Sequence, residues 1–326
     1  MKLIEKEKYM NILICSVGRR VKLIEYFSNE LQKINGKVIA VDCDPTAPAL
    51  YQADAYELVP RIDNKEYISH IKQLCHKHQI SAVLSLIDPE LSLLASHKKE
   101  FALEGIKIIV SEKKMVDICF DKYKTYQFLR EHRIPVVPTY LNIDEVLADI
   151  KNGGLQYPLI VKPRNGSASM GIRLVTSPKQ LEEFVAEDIV IQPFIDGEEF
   201  GVDCYIDLLT NRPTNVFMKR KIKMRAGETD KSIAVKDPIL KELVVKLIDV
   251  LNPVGPIDID CFRKDNGYVV SEINPRFGGG YLHAHEMGQN FVKKIINNLN
   301  GIANNEINED YKEGTTLVKF DSYIVL

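Results

Sequence analysis

Apolar residues in the first third of the chain follow two alternating patterns. Short continuous apolar runs are typical of strands buried on both faces, and the segments between them have the three- and four-residue apolar spacing of amphipathic helices. The strand-like runs are NILICSV, KVIAVDCD, SAVLSLID and IKIIV, and the helix-like segments are RRVKLIEYFSNELQKI, NKEYISHIKQLCHKHQI and ELSLLASHKKEFALEG. This alternation predicts a parallel sheet that is covered by helices on both faces.

After residue 157 the pattern changes to strands joined by short turns, such as those at residues 210–213 and 265–267. Short connections favour antiparallel pairing. The predicted strands are YPLIVKP, GIRLVT, DIVIQPF, EEFGVDCYID, TNVFMKRKIKM, GPIDIDCF, YVVSEI and TLVKFDSYIVL, with helices at SPKQLEEFVAE and DPILKELVVKLIDVL. Between the two halves, Ser111 and Asp121 are predicted to cap two linking helices. The predicted fold class is therefore a parallel α/β unit followed by α+β units.

Composition narrows the class of protein. Of the 326 residues, 45% are hydrophobic and the net charge is −2, so the chain lacks the basic surplus of a nucleic-acid-binding protein. Six scattered cysteines without a C-x-x-C pair indicate reduced thiols. No apolar run is long enough to cross a membrane, and the charged start predicts no signal peptide. We predict a cytoplasmic protein that binds neither nucleic acid nor a membrane.

The turn after the first predicted strand, SVGRR at residues 16–20, has part of a dinucleotide-binding fingerprint. The full fingerprint, G-x-G-x-x-G, lets the backbone approach a pyrophosphate. Here Ser16 replaces the first glycine, the third is absent, and Asp42 occupies the position of a ribose-binding acid. A tight turn with a surface acid is the favoured interpretation, and an NAD-dependent dehydrogenase is the least favoured function.

Two segments in the second half are candidates for nucleotide contacts. In VKPRNGSASMGI a strand delivers Lys162 to a loop of small residues, whose backbone N–H groups suit phosphate oxygens. A mobile hairpin loop is an almost equal alternative. In VIQPFIDGEEFGVDCY a connector between strands offers backbone groups to a purine and a carboxylate to a ribose. A hairpin with exposed acids is the alternative there.

A third segment, SEINPRFGGGY, places Glu272, Asn274 and Arg276 two residues apart, which puts them on one face of a strand. Asp260 lies twelve residues before Glu272, and the turn at residues 265–267 brings the two acids together. Neighbouring carboxylates repel each other unless a cation compensates them. Two acids and an amide oxygen suit Mg²⁺, and Arg276 suits a phosphate. The polar outer face of a hairpin is the weaker alternative.

These three segments, in this order, resemble those of the ATP-grasp superfamily, and especially short proteins similar to the carbamoyl-phosphate synthase large subunit. The resemblance covers the chain from about residue 11 to about residue 300. It implies a Rossmann-like parallel-sheet domain over residues 1–111, a small ATP-grasp lobe with linking helices over 112–190, and a large ATP-grasp lobe with the metal site over 191–326. It also implies ATP with Mg²⁺, or Mn²⁺ in its place, and dimers are usual in the family.

The resemblance also assigns roles to individual residues. The implied ATP ligands are Lys122, Lys162, Ser167, Ala168, Gly171, Gln192, Phe194, Ile195, Glu199 and Glu228. The implied metal ligands are Asp260, Glu272 and Asn274, and the implied catalytic residues are Arg276, Arg225 and Lys223. A solvated basic strand is an equal alternative for Lys223 and Arg225 in the segment KRKIKMRAGETDKS. For the two histidines of YLHAHEMG, His283 and His285, packing is favoured over a place in the acceptor site.

The implied activity is that of an ATP-dependent ligase. ATP and Mg²⁺ would phosphorylate a small-molecule carboxylate, and a small-molecule amine would then displace phosphate to form an amide. This chemistry needs positioning and charge neutralisation rather than a nucleophilic side chain. Two alternatives stay open: a kinase acting on a carboxylate, carbamate or amide, and a nucleotide-binding module without turnover.

Overall fold

The structure is a computed structural model that describes residues 10–166, 171–184, 188–304 and 309–326. Its described strands form three sheets, of five, three and six strands. Among the described residues, no helix is both long and apolar enough to cross a bilayer.

The first sheet is parallel, as predicted, and its central strands are buried on both faces. Its order is β3-β2-β1-β4-β5. The strands are β1 (Asn11–Cys15), β2 (Lys37–Asp42), β3 (Ala55–Leu58), β4 (Ile80–Ser85) and β5 (Lys107–Ile108), and the helices are α1 (Val21–Gln32), α2 (Tyr67–Lys77) and α3 (Asp88–Leu103), with a 3₁₀ turn at Pro48–Gln52. The sequence pattern missed β3, because its exposed Tyr56 and Leu58 make it an edge strand without an apolar run. The strand order reverses between β1 and β4, where α/β sheets form a crevice at the carboxyl ends of their strands.

Two short helices, α4 (Lys113–Phe120) and α5 (Lys122–Glu131), lead to the small lobe. Asp121 caps α5 as predicted, since its carboxylate accepts from the N–H groups of Tyr123 and Lys124. The predicted cap at Ser111 is wrong. Helix α4 begins after Glu112, and the Ser111 hydroxyl instead accepts from the Val254 N–H at 3.0 Å.

The small lobe is a three-stranded antiparallel sheet with the order β7-β6-β8. Its elements are α6 (Ile143–Lys151), β6 (Leu159–Pro163), β7 (Arg173–Val175), α7 (Pro178–Glu182) and β8 (Ile189–Pro193). A small apolar core that includes Val146, Leu159 and Ile191 holds it together.

The large lobe is a six-stranded antiparallel sheet with the order β13-β12-β9-β10-β11-β14. Its elements are β9 (Glu199–Ile206), β10 (Pro213–Arg225), β11 (Glu228–Val235), α8 (Pro238–Leu251), β12 (Gly255–Lys264), β13 (Gly267–Asn274), α9 (Tyr281–Glu286), α10 (Phe291–Leu299) and β14 (Thr316–Val318). The last strand is shorter than predicted. The segment after it leaves Phe320 and Tyr323 exposed to solvent.

The two faces of the large sheet differ in chemistry because side chains alternate along each strand. One face carries Val202, Ile259 and other apolar residues that join the buried core with helix α8. The opposite face carries charged residues on four neighbouring strands: Glu199 and Asp203, Lys219 and Lys221, Asp258 and Asp260, and Glu272. The candidate site lies on this polar face.

Candidate functional site

The two acids of the predicted metal site lie directly opposite each other. Asp260 on β12 pairs in register with Glu272 on β13, and Asn274 pairs with Asp258 one step further along. Cross-strand neighbours have their Cβ atoms about 5 Å apart. The structure therefore brings Asp260, Glu272 and Asn274 together as the sequence predicted.

A β-bulge makes this pairing compatible with a buried core. The register shifts between Asp260 and Cys261, so that Cys261 faces Val270 and Ser271 is the extra residue. Val270 and Ile273 are three residues apart, yet both are buried in the core shared with helix α8. Without the bulge, the strict two-residue alternation would put Val270 on the polar face. Bulges commonly re-aim side chains next to functional sites.

Lys221 on β10 bridges the predicted metal and ribose ligands. Its ammonium lies 2.7 Å from Asp260 Oδ1 and 2.8 Å from Glu199 Oε1, and its side chain is only 5% exposed. Burial raises the pKa of the Asp260 carboxyl to about 7, although Lys221 opposes the shift. Gly201 on β9 leaves room for this lysine, because a Cβ there would lie 3.2 Å from Lys221 Cε.

Lys162 on β6 and Glu272 are charged groups without partners among the described residues. Neither side chain forms a hydrogen bond or an ion pair there, and Lys162 is 8% exposed. Burial lowers the pKa of the Lys162 ammonium, while the charge of Glu272 acts against that shift. Lys122 also acts on Lys162, and its own ammonium donates to the carbonyl of Gly166 at 2.6 Å. An unpaired buried charge is costly, so this region is suited to a ligand that supplies counter-charges.

These residues fit a divalent metal ion. The donor set is two carboxylates and one amide oxygen, which is the chemistry Mg²⁺ prefers. Glu272 is free of other partners among the described residues, and Asp260 is costly to ionise while buried. A cation between the two acids would remove their mutual repulsion. Asn274 Oδ1 accepts from Arg276 at 3.2 Å, so one of its two lone pairs remains for a metal.

The predicted adenine connector joins the small lobe to β9. Gln192 is buried and donates to the Thr139 hydroxyl at 2.8 Å, so its side chain is engaged within the small lobe. Phe194 is 44% exposed, and Ile195 is half-buried beside it.

In the predicted phosphate loop, Gly171 has a positive φ of +72°, which only glycine adopts readily. The predicted phosphate contacts at Ser167 and Ala168 lie outside the described residues.

Arg276 is buried and held by the first domain. Its Nε and Nη2 atoms donate to Asp88 Oδ2 at 2.9 and 2.5 Å, and its Nη1 donates to the Phe277 carbonyl at 3.0 Å. Burial alone would lower the pKa of the Arg276 guanidinium, but Asp88 raises it overall. Asp88 begins helix α3 directly after strand β4. The first domain thereby fixes the orientation of this arginine, with one N–H of Nη1 left for a ligand.

The remaining predicted residues lie on the β10–β11 hairpin. Lys223 is exposed, and Arg225 is ion-paired with Asp230 and with Asp321. Among the described residues, neither contacts Asp260 or Glu272, so the structure does not bring them to the carboxylate pair. Glu228 lies closer to the domain junction and pairs with Lys319 at 2.9 Å.

The SVGRR turn contacts this hairpin. Arg19 donates to the Ala226 carbonyl at 3.3 Å, and Arg20 Nε lies 3.4 Å from Glu228 Oε1. The N–H of Gly18 donates to the Asp42 carboxylate at 2.8 Å, so the acid in the ribose position stabilises the turn itself. The tight-turn interpretation therefore agrees with these contacts, and the arginines of the turn reach the large lobe.

The glycines and histidines after Arg276 serve packing. A Cβ on Gly278 would lie 2.4 Å from the Asp258 carboxyl carbon, and one on Gly280 would lie 2.5 Å from Lys219 Cε. His283 is 1% exposed and bonds to the Ser232 hydroxyl, and burial lowers its pKa to about 4. His285 stacks on a tyrosine ring of helix α1 at 3.5 Å. Both histidines are packed, as favoured.

Four charged residues of this region were not predicted from the sequence: Arg20, Asp88, Lys221 and Asp258. Asp258 and Lys221 had a signal, since Asp258 lies two residues before Asp260 on one strand and Lys221 lies in a basic strand with alternate positions buried. Arg20 and Asp88 had none. Asp88 meets Arg276 across 188 residues of sequence, and no local pattern encodes such a contact.

Comparison with known proteins assigns the chain to a family. Residues 119–280 match the model of the ATP-grasp domain, and residues 12–109 match that of the PylC-like N-terminal domain. The protein therefore belongs to the ATP-grasp family, with a PylC-like domain before the ATP-grasp domain.

Individual relatives agree with this assignment. A D-alanine–D-alanine ligase of Thermotoga petrophila is 29% identical over a 189-residue alignment that covers 52% of this chain and 61% of that ligase. The carbamoyl phosphate synthase large chain of Thermotoga sp. strain RQ2 is 25% identical over 194 residues, covering 53% of this chain and 17% of the synthase. The matched region thus spans about three-fifths of the ligase and a sixth of the synthase.

The fold is also found among solved structures. The biotin carboxylase of Campylobacter jejuni, solved as a β-γ-ATP complex, has a TM-score of 0.75 and 18% identity, covering 95% of this chain and 75% of the carboxylase. This likeness confirms the predicted fold class, a parallel first domain followed by an ATP-grasp fold.

Proposed function

We propose that the protein is an ATP-dependent ligase that joins a small carboxylate to an amine. The observation that carries the proposal is the in-register pair of Asp260 and Glu272, next to a buried lysine, Lys162, that has no partner among the described residues. Negative and positive groups that lack partners suit a metal–triphosphate, which brings charges of both signs. The D-alanine–D-alanine ligase named above is a carboxylate–amine ligase, which supports the same class of reaction for this protein.

Each group has a role in this proposal. Lys162 and Lys122 contact the nucleotide phosphates, with Ser167, Ala168 and Gly171 as the loop over them. Gln192, Phe194 and Ile195 form the adenine connector, Glu199 accepts from the ribose, and Glu228 serves as a further ATP contact. Asp260, Glu272 and Asn274 hold Mg²⁺, or Mn²⁺ in its place. When bound, the metal neutralises phosphate charge.

The reaction has two balanced steps. A carboxylate oxygen of the substrate forms a bond to the γ-phosphorus, and the bond from that phosphorus to the β–γ bridging oxygen breaks, so that ADP leaves with the electron pair. The amine nitrogen then bonds to the acyl carbon, the carbon–oxygen bond to phosphate breaks, and the nitrogen loses a proton. Arg276, oriented by Asp88, stabilises the negative charge of the transferring group. Lys223 and Arg225 remain proposed contacts of the γ-phosphate from the hairpin.

The test is phosphate release with Mg²⁺–ATP over a panel of carboxylic acids paired with amines. We expect release that depends on both substrates, and about a 100-fold or greater loss of kcat in Glu272→Gln. Glu242→Gln, an exposed acid on helix α8, is the matched control and keeps full turnover. Undiminished turnover in Glu272→Gln would refute the site.

A binding measurement separates the ligase from a module that only binds nucleotide. Mg²⁺–ATP at 100 times its Kd is expected to stabilise the protein by about 2.7 kcal/mol, and NAD is expected to have no effect. Release of ADP from an acid alone, with no amine required at any concentration, would favour the kinase alternative.

A further inference from the structure

The junction between the first domain and the polar face of the large sheet contains several ion pairs, and two further charged side chains there lack a full partner among the described residues. Three pairs are closed: Arg276 with Asp88, Lys219 with Asp203, and Lys221 with Asp260. Lys319 is paired with Glu228 at 2.9 Å and also donates to the carbonyl of Gly279. Apart from Glu272, which is assigned to the metal, the groups without a full partner among these described residues are Asp258 and Arg20.

Asp258 is 8% exposed, and its side chain makes no hydrogen bond or ion pair with any described residue. It lies between Asn274 and Asp203 in the sheet. Arg20, Arg276 and Lys221 are close enough for their charges to act on it, but none of them bonds to its carboxylate. Its carboxyl group touches the backbone at Gly278, where a Cβ would lie within 2.7 Å of all three carboxyl atoms. A buried carboxylate in this state lacks the hydrogen bonds that its charge demands.

Arg20 is the complementary group. Its guanidinium is 20% exposed, and its one close contact is the 3.4 Å approach of Nε to Glu228, an acid already held by Lys319. The four N–H groups on its two terminal nitrogens have no hydrogen-bond partner among the described residues. Arg276 lies near enough to lower the pKa of Arg20, after burial as the main cause. Two guanidiniums close together, one with an open fork, suit a carboxylate between them.

The two open groups have opposite charges, which identifies the chemistry of the ligand. A plain carboxylic acid would satisfy Arg20 and leave Asp258 buried without a partner, and a dicarboxylic acid would be repelled by it. An ammonium group satisfies Asp258. We propose that the carboxylate substrate is an amino acid, with its carboxylate held by Arg20 and the free N–H of Arg276, and its ammonium held by Asp258.

The position along β12 agrees with this role. Asp258 and Asp260 are two residues apart on one face, about 7 Å along the strand. An ammonium at Asp258 leaves the carboxylate of the same molecule within reach of the metal-binding acids, where the phosphoryl group is transferred. This inference rests on the proposed ligase activity, and it makes Asp258 and Arg20 determinants of substrate specificity.

The test uses amino acids paired with acids that lack only the amine, such as alanine with propionate and glutamate with glutarate. Mg²⁺–ATP is present, and hydroxylamine serves as the amine, so that any acyl phosphate is captured as a hydroxamate. We expect hydroxamate from an amino acid and not from its paired acid. In Asp258→Asn the KM for that amino acid rises about tenfold or more, the size of one lost hydrogen bond to a charged group, while the KM for Mg²⁺–ATP stays within about twofold.

Two further variants keep the test decisive if Asp258→Asn does not fold. Arg20→Gln, in a loop, is expected to raise the same KM, and Arg19→Gln, its neighbour in the turn, is the matched control that leaves it unchanged. Equal hydroxamate from amino acids and paired acids, or an unaltered preference in both Asp258→Asn and Arg20→Gln, would overturn the inference and leave the ligase intact.

A calorimetric titration of the amino acids into the protein with Mg²⁺ and a non-hydrolysable ATP analogue separates the remaining outcomes. Amino-acid binding that weakens in Asp258→Asn, with no hydroxamate formed, would support the subsite while the ligase proposal fails. Absence of any amino-acid binding would overturn the inference.

Discussion

Removing Asp88 tests how strongly the two domains are coupled through the arginine of the E-x-N-P-R segment. The perturbation is Asp88→Asn, which keeps the shape of the side chain and removes its charge. Arg276 would then be a buried guanidinium without a bonded counter-ion, since its remaining hydrogen-bond partners are the neutral oxygens of Asn274 and Phe277. We expect a loss of both stability and catalytic rate.

The magnitude follows from burial. The side chains of Arg276 and Asp88 are 9% and 6% exposed, and two N–H groups converge on one carboxylate oxygen. Breaking one partner of a buried pair costs about 3–5 kcal/mol. The exposed pair Lys22–Glu25, at 55% and 32%, provides the comparison. Its removal by Glu25→Gln is expected to cost at most about 1 kcal/mol.

The assay is urea unfolding, followed by circular dichroism, for the wild type and both variants. A double variant, Asp88→Asn with Arg276→Gln, closes a cycle, because the second change removes the uncompensated charge left by the first. We expect the double variant to lose less than the sum of the two single losses, with a coupling energy above about 1.5 kcal/mol. A loss below about 1 kcal/mol in Asp88→Asn, equal to that of Glu25→Gln, would refute the reasoning.

Three more measurements test other features of the site. Gly280→Ala is expected to lower the free energy of unfolding, measured in urea, by about 1–3 kcal/mol, because the new Cβ would overlap the buried Lys219. Gly267→Ala is the control and should cost far less, since no atom lies within 4 Å of a Cβ there. Equal costs for the two variants would contradict the packing argument. Burial lowers the pKa of His283 to about 4 in the folded protein, so the unfolded chain binds more protons between about pH 6.5 and 4. The free energy of unfolding therefore falls as the pH drops through this range. His283→Gln should reduce this pH dependence in unfolding experiments, and an unchanged pH dependence would contradict the prediction. Lys162→Met is expected to raise the melting temperature of the free protein, since it removes an unpaired buried charge. The same variant should abolish stabilisation by Mg²⁺–ATP. A lowered melting temperature would show that the Lys162 ammonium already has a partner in the free protein.

The sequence predicted those parts of the fold that local periodicity controls. The buried strands β1, β2 and β4 and the amphipathic helices between them follow directly from apolar spacing. The edge strand β3 and the short extent of β14 were not predictable in this way, because edge strands pack on one side and lack an apolar run. The cap at Ser111 failed for a related reason, as its hydroxyl is used by a tertiary contact with Val254 instead.

The carboxylate pair depends on both the turn and the bulge. The two-residue turn pairs Lys264 with Gly267, a register that by itself would place Asp260 opposite Ser271, and the one-residue shift at the bulge places it opposite Glu272. The bulge at Ser271 left a trace in the sequence, since Val270 and Ile273 break the alternation that Glu272 requires. The partners of Lys221 and Arg276 left none. They depend on which strand lies beside which, and strand order is a property of the whole chain.

The crevice of the first sheet has a structural role that requires no dinucleotide fingerprint. The loops after β1 and β4 meet where the strand order reverses, the place where related sheets bind cofactors. Here the first loop delivers Arg20 and the second delivers Asp88, and both reach groups of the large lobe. The same topology that presents backbone to a pyrophosphate therefore presents charged side chains to a second domain. A domain with this task needs long polar side chains at the crevice, and the sequence SVGRR has two arginines directly after Gly18, at the positions that the fingerprint leaves unspecified.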